Sequence, residues 1–152
     1  MTMVFVNRKD SATKLQEKLL SQGIKAKILI GGLENTQRDA IIDEFRQGVF
    51  TTLISTNVLA RGIDVPEVDL VINYDVPMVN DKGYYHPDYP NFMHRVGRTG
   101  RFGTDGLALT LMVTEIDNEL VDLIAQHYAI EINELTGGFE QLAKVFSEMR
   151  GM

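Results

Sequence analysis

The chain has 152 residues, a length typical of one domain, and 44% of them are hydrophobic, enough to build a core of that size. The absence of cysteine excludes disulfides, zinc ribbons and thiol catalysis, and the three scattered histidines form no metal-binding pattern. A net charge of −6 argues against binding nucleic acid over a broad surface, so we expect any phosphate contacts to be local. No apolar run approaches the roughly 18 residues needed to cross a bilayer, so we expect no membrane partner.

Short apolar runs alternate along the chain with amphipathic stretches. Runs rich in β-branched and apolar residues predict strands over residues 4–6, 26–30, 52–55, 70–74 and 107–113. Side chains at helical spacing predict helices over residues 10–22, 35–46, 115–128 and 139–149. In the third helix this spacing directs Leu120, Leu123 and Ile124 toward the core. The alternation predicts one α/β domain, residues 1–152, with a mainly parallel sheet.

The predicted sheet indicates where a ligand would bind. In open parallel sheets, ligands collect at the carboxyl ends of the strands. The loops after Val6, Ile30, Ser55 and Tyr74 are therefore expected to lie along one functional edge.

The segment Pro77–Pro90 differs from the rest of the chain. It contains three prolines, Gly83 and three tyrosines, and it has little periodicity, which predicts an irregular surface loop. Loops of this length are usually functional or mobile. An alternative function for the chain, a docking module for partner proteins, would depend on this loop.

Arginines provide the main candidates for phosphate contacts. Five lie in glycine-bearing segments, where a planar and permanently charged guanidinium can meet phosphate oxygens: Arg38, Arg61, Arg95, Arg98 and Arg101. The densest string is H-R-V-G-R-T-G-R-F-G at residues 94–103. If its first part is helical, His94, Arg98 and Arg101 lie on one face. A solvated basic helix is the alternative interpretation, whereas a dinucleotide-binding fingerprint is excluded by the glycine spacing.

A second string, S-T-N-V-L-A-R-G-I-D at residues 55–64, follows a predicted strand. Thr56 offers a hydroxyl, Arg61 a charge, Gly62 room for a close backbone approach, and Asp64 an acceptor suited to sugar hydroxyls. A turn or a helix cap is the alternative role of Asp64.

The string at residues 94–103 resembles motif VI of superfamily-2 helicases, and the string at residues 55–64 resembles motif V of the DEAD-box RNA helicases within that superfamily. Gly31-Gly32 with Gln37-Arg38 resembles motif IVa of that family, and residues 4–7 resemble motif IV, so the resemblance extends from Val4 to about Tyr128. The sequence departs from the family pattern at Asn35, Ile30 and Arg8, where glutamine, histidine and threonine are usual. Arg8 could replace the threonine as a phosphate contact, and Arg38 could equally form a helix-surface ion pair.

The resemblance implies a RecA-like three-layer αβα fold and a set of residue roles. Arg98 and Arg101 would be arginine fingers for ATP, Gly62 and Asp64 would contact the nucleotide, and His94 would couple the nucleotide to RNA. The residues implied to bind single-stranded RNA are Arg8, Gly31, Arg38, Thr56, Arg61 and Gly62. A DNA helicase of the same superfamily is the alternative that differs only in substrate.

The sequence contains neither a G-x-x-x-x-G-K-[ST] string nor D-E-A-D, so it lacks a phosphate-binding loop and magnesium carboxylates. We expect an excised half of a longer helicase, inactive alone, whose N-terminal RecA-like domain mainly holds ATP and Mg²⁺. The long insert after Pro77 resembles that of the mRNA-export helicases at the nuclear pore. That resemblance implies a monomer in cytoplasm and nucleus, activated by an export factor with inositol hexakisphosphate.

Overall fold

The computed structural model describes residues 1–56, 66–100 and 105–149. The strands are β1 (Thr2–Phe5), β2 (Ala26–Leu29), β3 (Thr52–Ser55), β4 (Leu70–Asn73), β5 (Met78–Asp81), β6 (Tyr84–Pro87) and β7 (Leu107–Thr110). The helices are α1 (Lys9–Ser21), α2 (Asn35–Arg46), α3 (Tyr89–Val96), α4 (Glu115–Tyr128) and α5 (Gly138–Met149). None of the helices in these described ranges is long and apolar enough to span a bilayer.

Among the residues that the structure describes, five strands form one parallel sheet in the order β2-β3-β1-β4-β7. Their registers place Phe5 level with both Ser55 and Asn73, while Leu29 pairs with Ser55 and Thr110 with Asn73. All five strands therefore end at the same edge. The predicted parallel α/β sheet and its common edge are confirmed.

Helices cover both faces of the sheet. Successive side chains of a strand point to opposite faces, and β1 follows this rule: Met3 and Phe5 pack with Phe45 of α2, whereas Val4 packs with Ala12 of α1. Helices α1 and α2 therefore lie on opposite sides, which gives three layers. A third cluster joins α3 and α4 through Phe92, Leu120, Val121 and Ile124.

The segment predicted to be an irregular loop is a β-hairpin instead. Strands β5 and β6 are antiparallel, with Asn80 opposite Tyr85 and Asp81 opposite Tyr84. The connection consists of Lys82 and Gly83, with φ of 51° and 89°, and such paired positive values match the twist of two-residue hairpin turns. Pro77 directly precedes β5, Pro87 is the last residue of β6, and Pro90 lies in the first turn of α3, so none of the three prolines lies in the middle of a strand.

The predicted inward face of α4 is partly wrong. Leu120 and Ile124 are buried as expected, but Leu123 is exposed and Val121 is buried in its place. Helix α4 packs against both the core and strand β6. Its buried side therefore includes Val121, which the helical spacing alone did not select.

Candidate functional site

Three of the predicted RNA-binding residues lie at the carboxyl edge of the sheet. Arg8 follows β1 and precedes α1, Gly31 follows β2, and Thr56 follows β3. Because these strands are parallel neighbours that end in register, the three positions belong to one edge. Arg38 lies in the first turns of α2, the helix that follows the Gly31 loop.

Both arginines at this edge have weak local partners. The Arg8 Nε lies 3.2 Å from Asp10 Oδ1, and both side chains are largely exposed, so solvent screens this ion pair. The half-buried Arg38 donates a hydrogen bond to the side-chain oxygen of Asn35, and within the described residues it forms no ion pair, which was the alternative interpretation. Because the Asn35 amide is neutral, this contact does not offset the positive charge of Arg38. An anion such as phosphate can therefore interact favourably with both guanidinium groups.

The Thr56 hydroxyl is buried at this edge of the sheet, where it needs a hydrogen-bond partner. Thr56 is only 5% exposed, and its Oγ1 has no hydrogen-bond partner within the part of the chain that the structure describes. Its carbonyl accepts from the Ser55 hydroxyl at 3.1 Å. An unpaired buried hydroxyl is costly, so a donor or acceptor at this edge would stabilise it.

Helix α3 crosses the sheet from the carboxyl edge to the amino edge. At its beginning, the Asp88 N–H donates to the Pro77 carbonyl at 2.9 Å, and the Asp88 carboxylate caps the helix by accepting from the Asn91 N–H. At its other end, the Arg98 carbonyl accepts from the N–H of Val68 at 2.9 Å. Val68 precedes β4, so Arg98 lies at the amino edge of the sheet.

The predicted helical stripe of His94, Arg98 and Arg101 is therefore wrong for Arg98. Helix α3 ends at Val96, Gly97 is its C-cap, and Gly100 has a φ of 67° that favours glycine. His94 is exposed in the last turn of α3, whereas Arg98 is half-buried in the turn that follows the helix. Gly97 therefore ends the helix before Arg98.

Four candidate residues lie outside the described residues: Arg61, Gly62, Asp64 and Arg101. Their contacts therefore stay predictions. The described candidates already form two groups, Arg8, Gly31 and Thr56 at one edge and Arg98 at the other. Strands of four residues separate the groups by about 13 Å. This separation is larger than a single phosphate group, so one phosphate cannot contact both groups of residues.

Arg95 belongs to neither group because it is buried. The sequence analysis placed it among the arginines that meet phosphate, but its side chain is 0% exposed. Its guanidinium donates to the Asn7 Oδ1 and the Asp75 carbonyl, both at 2.8 Å, and to the Asn73 Oδ1 at 3.3 Å. The guanidinium also lies 5.3 Å from the centre of the Phe5 ring. The prediction that Arg95 contacts phosphate is wrong, because protein acceptors surround it.

Burial lowers the pKa of Arg95 to about 10, while the negative charges of Asp75 and Asp88 act in the opposite direction. The guanidinium therefore keeps its positive charge at neutral pH. Asn7, one of its partners, directly precedes Arg8, and Arg95 itself is three residues before Arg98. This buried cation consequently links the segments that carry the two groups of candidate residues.

Helical spacing contained a signal for this burial. Phe92 is buried on the inward side of α3, and Arg95 follows it by three residues, which places both on one face of the helix. The helical spacing therefore indicates a buried position for Arg95. Arginine is rarely fully buried, however, so the residue type favours a surface position instead.

Comparisons with known proteins identify the family of the chain. The family described as "Helicase conserved C-terminal domain" matches residues 1–103. The ATP-dependent RNA helicase dbp5 of Sclerotinia sclerotiorum is 41% identical over 134 residues, which are 88% of this chain and 28% of that protein. The chain therefore spans between a quarter and a third of the length of this curated relative.

Solved structures extend the likeness to the fold. The structure of S. cerevisiae Dbp5 L327V bound to RNA and ADP BeF3 superposes with a TM-score of 0.87 at 37% identity, covering 97% of this chain and 38% of that one. The C-terminal domain of the DEAD-box protein Dbp5 gives 0.85 at 37% identity, covering 97% and 81%. The S. cerevisiae Dbp5 L327V C-terminal domain bound to Gle1 H337R and IP6 gives 0.82 at 35% identity, covering 99% and 83%. The expected RecA-like fold is confirmed.

Proposed function

The chain belongs to the helicase C-terminal domain family, as the second RecA-like domain of a DEAD-box protein, and from this premise we propose that it completes an ATP-dependent RNA helicase. One observation carries the proposal: among the described candidate residues, Arg98 lies at the amino edge of the sheet, whereas Arg8, Gly31 and Thr56 lie at the carboxyl edge. Two ligands on one rigid sheet are what an RNA-dependent ATPase requires.

On the nucleotide side, Arg98 and Arg101 act as arginine fingers on ATP that the N-terminal RecA-like domain holds. A guanidinium stabilises the charge that spreads over the transferred phosphoryl group. Gly62 and Asp64 contact the nucleotide beside them. The described residues contain no group of three metal-ligating side chains, so we assign Mg²⁺ to ligands of the N-terminal domain and of ATP itself. The relative solved with ADP BeF3 and RNA supports this pairing of ligands.

On the RNA side, the chain holds the sugar-phosphate backbone of a single strand without reading bases. Arg8 and Arg38 supply charge from the amino ends of two helices, and Thr56 supplies the hydroxyl that has no described partner. Gly31, Arg61 and Gly62 complete this surface. His94, exposed on α3 between the two edges, couples nucleotide binding to RNA binding.

The cellular role we propose is mRNA export and remodelling of mRNA–protein complexes by a monomer in cytoplasm and nucleus, at the cytoplasmic face of the nuclear pore. Solved relatives support it, since S. cerevisiae Dbp5 binds Gle1 with IP6 and has also been solved with Nup159. The corresponding partner of this chain would be an export activator with inositol hexakisphosphate.

ATP turnover tests the proposal. The chain alone is expected to hydrolyse no ATP above background, because it contains no phosphate-binding loop. The chain joined in cis to the N-terminal RecA-like domain of S. cerevisiae Dbp5 is expected to regain turnover that single-stranded RNA stimulates. Phosphate release is measured for both proteins, with and without RNA.

Single-stranded DNA of the same sequence is the control for substrate class. Equal stimulation by DNA would favour the DNA-helicase alternative, and turnover by the isolated chain would overturn the assignment altogether. The joined protein carrying Arg98→Ala reports whether any recovered turnover depends on this chain.

The β5–β6 hairpin favours a second function, docking of the export activator. Its base is anchored in the core by Met78 and the buried Pro87, whereas Tyr84 is 74% exposed and Tyr85 and Val79 are also exposed. Exposed aromatic side chains on a two-stranded ribbon are typical of protein-binding surfaces.

We expect the double substitution Tyr84→Ser and Tyr85→Ser to weaken binding of Gle1 in the presence of IP6 by at least ten-fold, because two aromatic anchors are lost. A pull-down with purified Gle1 and IP6 measures the effect. Tyr74→Ser, which changes an exposed tyrosine outside the hairpin, is the matched control. Unchanged binding by the double variant would exclude the hairpin as the docking surface.

A further inference from the structure

The turn that follows α3 is held by Val68, the residue two positions before β4. The Val68 N–H donates to the Arg98 carbonyl at 2.9 Å, and the Val68 carbonyl accepts from the Thr99 hydroxyl at 2.6 Å. The same hydroxyl lies 3.3 Å from the Asp69 carbonyl. Val68 is itself a buried core residue. Two successive residues of the turn are therefore tied to a fixed point of the sheet.

Gly106 supports the turn from the other side. Gly106 directly precedes β7, whose first residue, Leu107, pairs with the first residue of β4. A Cβ atom at position 106 would lie 2.7 Å from the Gly100 Cα, 2.5 Å from the Thr99 Oγ1 and closer still to the Gly100 nitrogen. The backbone of the turn therefore rests directly on Gly106, with no space for a side chain.

The need for glycine at position 106 is a matter of contact rather than of backbone conformation. Its φ is outside the left-handed region that excludes other residues, unlike the φ of 77° at Gly48. Alanine at position 106 is thus conformationally acceptable, and its methyl group would act only by displacing the turn. The variant Gly106→Ala therefore tests whether the position of the turn matters.

We propose that Thr99 and Gly106 are positioning residues, which fix the turn that carries Arg98 between the beginnings of β4 and β7. This inference rests on the proposed role of Arg98 as an arginine finger. A group that stabilises a transition state must be held close to its productive position before the reaction, and displacements of about 1 Å are costly. Thr99 holds the turn through the hydrogen bond of its hydroxyl group, and Gly106, which has no side chain, lets the turn pack directly against the backbone before β7.

Two pairs of variants test the inference in the chain joined to the N-terminal domain of S. cerevisiae Dbp5. Thr99→Val removes the hydroxyl at constant shape and is expected to lower kcat by at least ten-fold with an unchanged KM for RNA, whereas Thr99→Ser keeps the hydroxyl and restores kcat. Gly106→Ala is expected to lower kcat by at least ten-fold. Gly48→Ala is the matched control, since it strains a glycine in open space at the end of α2 and leaves kcat unchanged.

Amide hydrogen exchange in the chain alone supplies a readout that is independent of ATP. The Val68 amide is expected to exchange at least ten-fold faster in Gly106→Ala, because its acceptor on Arg98 is displaced, while amides of β1 and β3 exchange as before. If Arg98→Ala turns over normally, the proposed finger itself is refuted. If Arg98→Ala is inactive but Thr99→Val matches Thr99→Ser, this inference alone is overturned, whether or not Gly106→Ala folds.

Discussion

Replacing Arg98 with alanine is expected to lower RNA-stimulated ATP turnover by about 10³-fold or more, the scale on which arginine fingers act in phosphoryl transfer. The reason is that alanine removes the charge that offsets the developing negative charge on the phosphoryl oxygens. Affinity for single-stranded RNA should change little, because Arg98 lies at the amino edge and the RNA candidates lie at the carboxyl edge. Steady-state turnover at saturating RNA, together with RNA binding by fluorescence anisotropy, measures both effects.

Arg8→Ala is the matched control, since it removes an arginine from the opposite edge of the same sheet. A phosphate contact at this position predicts weaker RNA binding, with a salt dependence reduced by about 0.7 in logarithmic slope, and normal kcat once RNA saturates. The two arginines should therefore affect different kinetic constants. Near-normal turnover of Arg98→Ala, or identical losses in both variants, would refute the division into two sites.

The sequence predicted those features of the fold that repeat with a fixed period. Helix α2 begins and ends at the predicted residues 35 and 46, and β3 at residues 52 and 55, because apolar side chains mark one face of the helix and both faces of the strand. The parallel order of these elements was then enough to place Arg8, Gly31 and Thr56 at one edge. In a parallel sheet, a residue that directly follows a strand lies at the carboxyl edge, so its edge can be predicted from the order of strands and helices alone.

The hairpin could not be found in this way. Strand β5 presents three exposed residues of four, and the first three residues of β6 are all exposed, so no apolar alternation marks either strand. The turn at Lys82 and Gly83 lacks the asparagine or aspartate that usually precedes glycine in such turns. The structure of this segment depends on the pairing of β5 with β6 and on the burial of Pro87 at the base of the hairpin, and neither is visible as a periodic pattern in the sequence.

Arg95 shows a different limit of sequence reasoning. Its acceptors are 88, 22 and 20 residues away in the chain, on Asn7, Asn73 and Asp75. Local spacing indicated an inward position, but no local pattern reveals that three acceptors converge there. Only the packing of α3 over the ends of β1 and β4 brings these groups together. The sequence therefore predicted the sheet edge at which Arg8, Gly31 and Thr56 lie, but not the buried network around Arg95.

Substitution of Arg95 by methionine is expected to destabilise the fold by about 3 kcal/mol or more, which shifts the folding equilibrium over 100-fold. Methionine fills much of the volume, yet it leaves the Asn7 Oδ1, the Asp75 carbonyl and the Asn73 Oδ1 without their donor in a site that is closed to water. Each unpaired buried acceptor costs roughly 1–3 kcal/mol. Urea unfolding followed by circular dichroism measures the loss.

Arg8→Met makes the same chemical change at an exposed arginine whose ion pair with Asp10 is screened, so its effect on the free energy of unfolding should stay within about 0.5 kcal/mol. If Arg95→Met is as stable as Arg8→Met, the three acceptors have other donors and Arg95 is not the link between α3 and the ends of β1 and β4. A large difference between the two variants would instead mean that the Arg98 turn and the Arg8 segment depend on one buried cation. Any movement of α3 would then act on both of the proposed ligand sites.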